Sequence, residues 1–261
     1  MTTSQPPLFQ TQDLCISQQN KTLCQQLNLT VYPGQSIAIL GQNGSGKSTL
    51  LHTLQGLHQA DHGEIHLSGQ ALSKWTGRGV AQRVGLLLQQ VKDEMPSRVD
   101  DFAMLGRLPH SRFWKSDSEQ DRNIVAKALS VTDLSGMSAR DVESLSGGER
   151  QRLAIAMLLA QDPDLYLLDE PGNHLDIAHQ ISLMTLLHQH IKSMAKAMIF
   201  ATHDMNLAAR FADKVLLLNT DGSYLFGLRD DILSESSLSD VYGHPVRQAQ
   251  TDTDYPVFFP G

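Results

Sequence analysis

Gly41-Gln42-Asn43-Gly44-Ser45-Gly46-Lys47-Ser48-Thr49 follows the spacing G-x-x-x-x-G-K-[ST], and its reading decides how the rest of the chain is read. Ser36-Ile37-Ala38-Ile39-Leu40 ahead of it reads as a short buried strand, and Thr49–Leu54 behind it as a helix. The motif therefore sits where a strand passes into a helix. Gly41, Gly44 and Gly46 let consecutive backbone N–H groups turn toward phosphate oxygens, and the helix N-terminus adds its partial positive charge. Lys47 is a compact cation for the β- and γ-phosphates, and the Ser48 hydroxyl is a candidate Mg²⁺ ligand. All nine residues, Gly41 to Thr49, are candidate phosphate-loop residues. An ordinary glycine turn would not explain strand, full motif and helix arriving together.

The chain has 261 residues, 41% of them hydrophobic and 19% charged, enough to bury a large core as one α/β domain with a smaller lobe. No apolar run reaches the roughly eighteen residues that a membrane span needs, and Met1–Pro6 has neither the charge nor the apolar stretch of a signal peptide, so a cytosolic location is expected. The formal net charge of −7 speaks against a nucleic-acid backbone as the main partner. Cys15 and Cys24 match no metal or redox spacing and read as core thiols. The eleven histidines are scattered; His188 and His190 lie two apart on a probable helix and do not share a face.

Residues 8–40 read as an antiparallel beginning, with strand segments at Leu8–Thr11, Leu14–Ile16 and Leu27–Val31 and a turn at Pro33-Gly34. Gly56 ends the helix after the phosphate loop, and Asp61-His62-Gly63 turns into the strand Glu64–Ser68. Val84–Leu88 is a further buried strand ending at Gln89-Gln90. Between Lys92 and Ser144 the strand signals stop. Helical spacing appears at Val99–Gly106, Glu119–Ser130 and Val131–Leu134, with Ser116 and Glu119 as a capping box, so residues 92–144 are expected to form an inserted helical lobe between core segments 1–91 and 145–261.

Leu145-Ser146-Gly147-Gly148-Glu149-Arg150-Gln151-Arg152 opens the helix that runs through Leu153–Ala160, with Ser146 as N-cap. Leu165–Leu168 then reads as a parallel strand buried on both faces, ending in Asp169-Glu170-Pro171. Ligands of open α/β sheets bind at such strand tips. There Asp169 can help hold Mg²⁺ from beyond its immediate ligands, and Glu170 can polarise an attacking water. A second buried strand, Met198–Thr202, delivers His203-Asp204 to the same edge, which makes His203 a candidate γ-phosphate contact. Val215–Leu218 and Tyr224–Gly227 pair as a hairpin, and short helices and strands follow.

Taken in order, these elements resemble the ATP-binding subunit of an ABC transporter over essentially the full length. The phosphate loop, Gln89 after a strand, the helical lobe, the signature Leu145–Arg152, the Asp169-Glu170 tip, Asn173-His174-Leu175-Asp176 and His203 all match in sequence. The resemblance implies a P-loop NTPase core with a mostly parallel sheet, an N-terminal antiparallel β subdomain and an inserted α-helical lobe. It implies ATP and Mg²⁺ as cofactors, and a homodimer in which Ser146, Gly147 and Gly148 contact the γ-phosphate held by the other copy. Gln89, or alternatively Gln90, would touch Mg²⁺ or the attacking water, and Asp176 would lie near the dimer axis.

In one place the chain departs from the pattern. The family usually stacks an aromatic residue on adenine where this chain has Ser17-Gln18-Gln19, leaving Phe9 as a substitute and base recognition loose.

Met104-Leu105-Gly106-Arg107-Leu108-Pro109-His110 resembles the L-G-R-x-P-H segment of importers for iron-siderophores, haem and cobalamin. The implied partners are integral-membrane permease subunits and, indirectly, a substrate-binding protein. The implied place is the cytoplasmic face of the cell membrane, held peripherally. Apolar Phe102, Leu105, Leu108 and Phe113 with Arg98, Arg107 and Arg112 offer a groove and charged rim for a permease helix. The competing function is a soluble ABC ATPase acting on nucleic acid or ribosomes, against which stand the single ATPase module and the acidic balance.

Overall fold

The computed structural model describes residues 6–19, 21–88, 97–111, 118–173 and 175–261. Gln89, Gln90, Arg112, Phe113, Ser116 and His174 lie outside the described residues.

The chain begins with β1 (Phe9–Gln18), a single strand where the sequence suggests two shorter ones, followed by β2 (Lys21–Leu27) and β3 (Thr30–Val31). β4 (Ser36–Gly41) runs into the phosphate loop, and α1 (Lys47–Gln55) leaves it. Next come β5 (His62–Leu67), β6 (Gln70–Ala71), α2 (Gly77–Arg83) and β7 (Val84–Leu87). The helical stretch holds α3 (Val99–Met104), α4 (Glu119–Val131) and α5 (Gly147–Gln161). The remainder is β8 (Leu165–Asp169), α6 (Ile177–Ser193), β9 (Ala197–Ala201), α7 (Met205–Phe211), β10 (Lys214–Leu218), β11 (Tyr224–Leu228), α8 (Arg229–Ile232), α9 (Glu235–Tyr242), β12 (Val246–Ala249) and β13 (Val257–Pro260).

The central sheet has the order β11-β10-β4-β9-β8-β7 and is parallel except for the β10–β11 hairpin. Its inner strands read as unbroken apolar runs because both faces are covered. Alternate residues feed two cores. Ala38 and Leu40 of β4, Tyr166 and Leu168 of β8, and Met198 and Phe200 of β9 pack with the helices. Ile37 and Ile39, Leu165 and Leu167, and Ile199 face α1 and the antiparallel sheet of β1, β2, β3, β5 and β6. With a side-chain period of two, a slip of one residue would exchange the two cores, so register is strongly fixed.

Three expectations need correction. Phe9 is fully buried in β1 and paired with Val31 and Leu67, so no face of its ring is open to a base. α4 is capped by Ser118, whose hydroxyl accepts from Asp121 N–H at 3.1 Å, in place of the capping box expected with Glu119. Val131–Leu134 is no separate helix: Val131 closes α4, and Thr132 N–H and hydroxyl both bond the Ala128 carbonyl.

Candidate phosphate site

α1 starts at Gly46, which holds a left-handed φ of 99° and offers no side chain to cap the helix. The first-turn N–H groups are thus left for an anion. A Cβ on Gly46 would lie 2.9 Å from the Leu23 side chain, so left-handed backbone and close packing both require glycine here. At Gly41 a positive φ of 156° and space both require glycine: a Cβ would meet the Leu218 carbonyl and the Ser45 hydroxyl at 2.6 Å.

Lys47 is 7% exposed and folds back onto its own loop, donating to the Gly41 and Gln42 carbonyls at 2.8 and 3.1 Å. Burial holds its pKa below the usual lysine value, while the carboxylates of Glu170 and Asp169 act in the opposite sense. Beside it, Asp169 is 3% exposed at the tip of β8. Burial raises its pKa, a hydrogen bond from Ser48 lowers it, and the neighbouring Glu170 raises it again. Its Oδ1 is buried with no hydrogen-bond partner among the described residues.

Glu170 follows with a left-handed φ of 48°, its N–H donating to the Ala201 carbonyl at 3.0 Å. Its Oε2 accepts from Asn173 Nδ2 at 3.0 Å, and its Oε1 stands 3.4 Å from His203 Nδ1. A cavity of about 540 Å³ collects Asn43, Gly44, Gly46, Lys47, Ser48 and Thr49 from the loop with Glu170, Asn173 and His203 from the tips of β8 and β9, and with Gln18 and Leu23. The residues singled out on three separate stretches of sequence therefore share one site.

Ser146, Gly147 and Gly148 are not among its lining residues; they stand exposed or half-exposed at the start of α5. There Ser146 and Glu149 form a reciprocal capping box, Ser146 N–H donating to Glu149 Oε2 at 2.7 Å and Glu149 N–H to Ser146 Oγ at 3.3 Å. These bonds hold the Glu149 carboxyl below its usual pKa. Asp176 caps α6 through His179 N–H at 2.9 Å.

Gln42 points away from the cavity, its amide donating to the Val241 carbonyl at 2.8 Å. Gln18 Oε1 accepts from Thr49 Oγ1, and Lys21 Nζ donates to the Gly44 carbonyl, both at 3.1 Å. These contacts of Lys21 and Gln18 were not foreseen from sequence, because nothing in a lone lysine or glutamine near a hairpin marks its distant partner. The foreseen role of Arg107 as an exposed docking residue is overturned: its side chain is 12% exposed, paired with Asp121 at 2.8 Å and bonded to the Ala160 carbonyl at 2.8 Å.

A parallel sheet with a glycine-rich loop between β4 and α1, a lysine turned into that loop and carboxylates on a nearby strand tip defines a P-loop NTPase. The chain belongs to the ABC transporter family, whose family model matches residues 24–173, and within it to the ATP-binding subunits. It is similar to the petrobactin import ATP-binding protein FpuD of Bacillus anthracis, with 34% identity over 96% of this chain and 90% of that one. The hemin import ATP-binding protein HmuV of Pseudomonas aeruginosa is 37% identical over 90% and 92% of the two chains. Among solved structures, a chain of an ABC transporter assigned to the metal-chelate type, in an inward-facing conformation, aligns with a TM-score of 0.86 at 30% identity over 98% of each chain. Among the described residues no helix is long and apolar enough to cross a membrane.

Proposed function

We propose that this subunit hydrolyses ATP to drive import of a metal chelate through a partner permease, working as a pair of copies on the cytoplasmic face of the cell membrane. The observation that carries the hydrolytic part is the meeting of Lys47, Glu170 and His203 around one cavity. The import direction and cargo class rest on similarity to FpuD, HmuV and the metal-chelate type transporter. Siderophore, haem and cobalamin remain one class, since the cargo does not contact this subunit.

In the proposed mechanism the α1 N-terminus and the loop N–H groups bind the phosphates. Lys47 leaves the Gly41 and Gln42 carbonyls to meet the β- and γ-phosphates, exchanging two neutral acceptors for charged ones. Glu170 polarises the attacking water, with its other oxygen steadied by Asn173, and His203 holds the γ-phosphate. The orphaned Asp169 Oδ1 beside Ser48 fits a cation, so Ser48 and Asp169 would hold Mg²⁺. There Mg²⁺ would neutralise charge on the β- and γ-phosphate oxygens. Gln89 belongs to the same proposal as a metal or water contact. Ser146, Gly147 and Gly148 stand free of their own chain's cavity, which suits a γ-phosphate contact across a dimer. The residue boundaries of the helical lobe, 92–144, are part of the same reading.

The test is reconstitution of the subunit with its permease in proteoliposomes. ATP-dependent uptake of haem, a ferric siderophore or cobalamin that stops in the Glu170→Gln variant supports the proposal. ATP turnover with no uptake of any of these would remove the cargo class, and co-purification with ribosomes instead of a permease would remove transport altogether.

A further inference from the structure

The last helix of the chain reaches back to the phosphate site, although it lies well beyond the residues that the family model matches. α9 ends in Val241-Tyr242-Gly243, and each of the first two residues of that turn touches a different part of the site. The Val241 carbonyl accepts from the Gln42 side chain at 2.8 Å, across 199 residues of sequence. The Tyr242 hydroxyl donates to the His203 carbonyl at 3.3 Å. Two neighbouring residues at the end of α9 thus join Gln42 of the phosphate loop to the residue proposed to hold the γ-phosphate.

The segment behind this contact is fastened independently. Asn206, three residues after His203, accepts from Phe258 N–H at 2.7 Å and donates to the Phe258 carbonyl at 3.0 Å, so its amide pairs with β13 as a strand would. Ser239 of α9 accepts from Val246 N–H at 2.9 Å, tying the helix to β12. β12 and β13 pair with each other. The C-terminal segment is therefore anchored at α7, three residues after His203, and touches His203 itself through Tyr242.

We infer that Tyr242 is a positioning residue for ATP hydrolysis, its hydroxyl fixing the His203 loop relative to the phosphate loop. The inference rests on the proposed roles of Lys47, Glu170 and His203. A phenol suits the task because it carries an O–H donor at the end of a rigid ring, which reaches the His203 carbonyl from the same turn whose Val241 carbonyl holds Gln42 of the phosphate loop. Relative placement of the two loops matters most when the γ-phosphate is transferred, so its loss should fall on turnover more than on binding.

The test compares the full-length chain with Tyr242→Phe and Tyr242→Ala. In Tyr242→Phe, kcat for ATP should fall by roughly three- to tenfold, the factor of one neutral hydrogen bond, with KM and the melting temperature close to wild type. Amide hydrogen exchange should quicken in the 203–206 loop. Wild-type kcat and exchange in Tyr242→Phe, with loss only in Tyr242→Ala, would assign packing alone and overturn the inference. A wild-type chain that does not turn over ATP would instead overturn the hydrolytic reading, while the exchange measurement would still report on the hydroxyl link.

Discussion

Glu170 Oε1 and His203 Nδ1 stand 3.4 Å apart across 33 residues of sequence, because β8 and β9 are neighbouring parallel strands that end at one edge. Asp169 pairs with Ala201 in the sheet, and Glu170 N–H continues the ladder to the Ala201 carbonyl. A left-handed residue other than glycine costs about 1 kcal/mol or more, and at Glu170 this ladder bond helps hold the conformation.

Glu170→Gln should retain ATP binding and lose hydrolysis by roughly 10²–10⁴-fold, since the amide keeps the size and the Asn173 contact but cannot polarise water as a carboxylate does. Phosphate release and equilibrium ATP binding measured on the same preparation check it. With ATP and Mg²⁺ present, size-exclusion chromatography should show the variant as a dimer.

Lys47→Ala should weaken ATP binding at least tenfold and abolish turnover. The alanine chain loses the ammonium that the Gly41 and Gln42 carbonyls hold next to the phosphate position. Titration calorimetry with ATP is the direct measurement, and unchanged affinity would remove Lys47 from the site.

The phosphate loop, the Asp169-Glu170 tip and His203 were legible in sequence for one reason: each is a short polar motif at the end of an apolar run, and a parallel sheet gathers such ends on one edge. Partners fixed only by tertiary placement were not. Tyr242, the Gln42 bond to Val241 and the Lys21 bond to Gly44 depend on where a distant helix or hairpin settles, and no local spacing encodes them. Phe9 misled because an aromatic near the N-terminus reads alike whether it faces a ligand or a core. Its place in β1, opposite Val31 and Leu67, decides for the core.

Asp169→Asn should raise the melting temperature of the nucleotide-free protein at neutral pH while reducing Mg²⁺-dependent ATP turnover. Burial raises the carboxyl pKa above its unfolded value, so the native state binds the proton more readily than the unfolded chain does. Stability from this group is therefore present at low pH and is lost as pH rises from the unfolded toward the folded pKa. At neutral pH the ionised, partly unpartnered carboxylate is a net cost that asparagine removes. A gain of about 1 kcal/mol corresponds to roughly 2–4 °C in a chain of this size. Melting curves at neutral and mildly acidic pH should converge for the two proteins on the acid side; a parallel pair of curves would argue against the pKa basis.

Gly106→Ala should destabilise the chain although Gly106 lies outside the phosphate cavity. A Cβ at this position would overlap the Met157 carbonyl of α5, so the glycine allows the backbone of the α3 segment to lie directly on that helix. The residues after it complete a clasp on the α5 C-terminus: Arg107 bonds the Ala160 carbonyl, and His110 Nε2 lies 2.9 Å from the Gln161 carbonyl. Arg78 and Gln82 of α2 close it from the other side by donating to the Pro109 carbonyl at 2.8 and 2.7 Å. Overpacking at such a contact costs about 1–3 kcal/mol, which should lower the melting temperature by roughly 2–12 °C. Leu108, 62% exposed in the same segment, is the control, since its replacement by alanine should change stability by less than about 0.5 kcal/mol. Because α5 carries Ser146, Gly147 and Gly148 at its other end, Gly106→Ala should also reduce turnover more than it weakens ATP binding by Lys47 and the phosphate loop. Equal melting temperatures for Gly106→Ala and Leu108→Ala would show that the segment does not grip α5, and reduced ATP affinity in step with reduced turnover would show that the disturbance spreads to the phosphate loop.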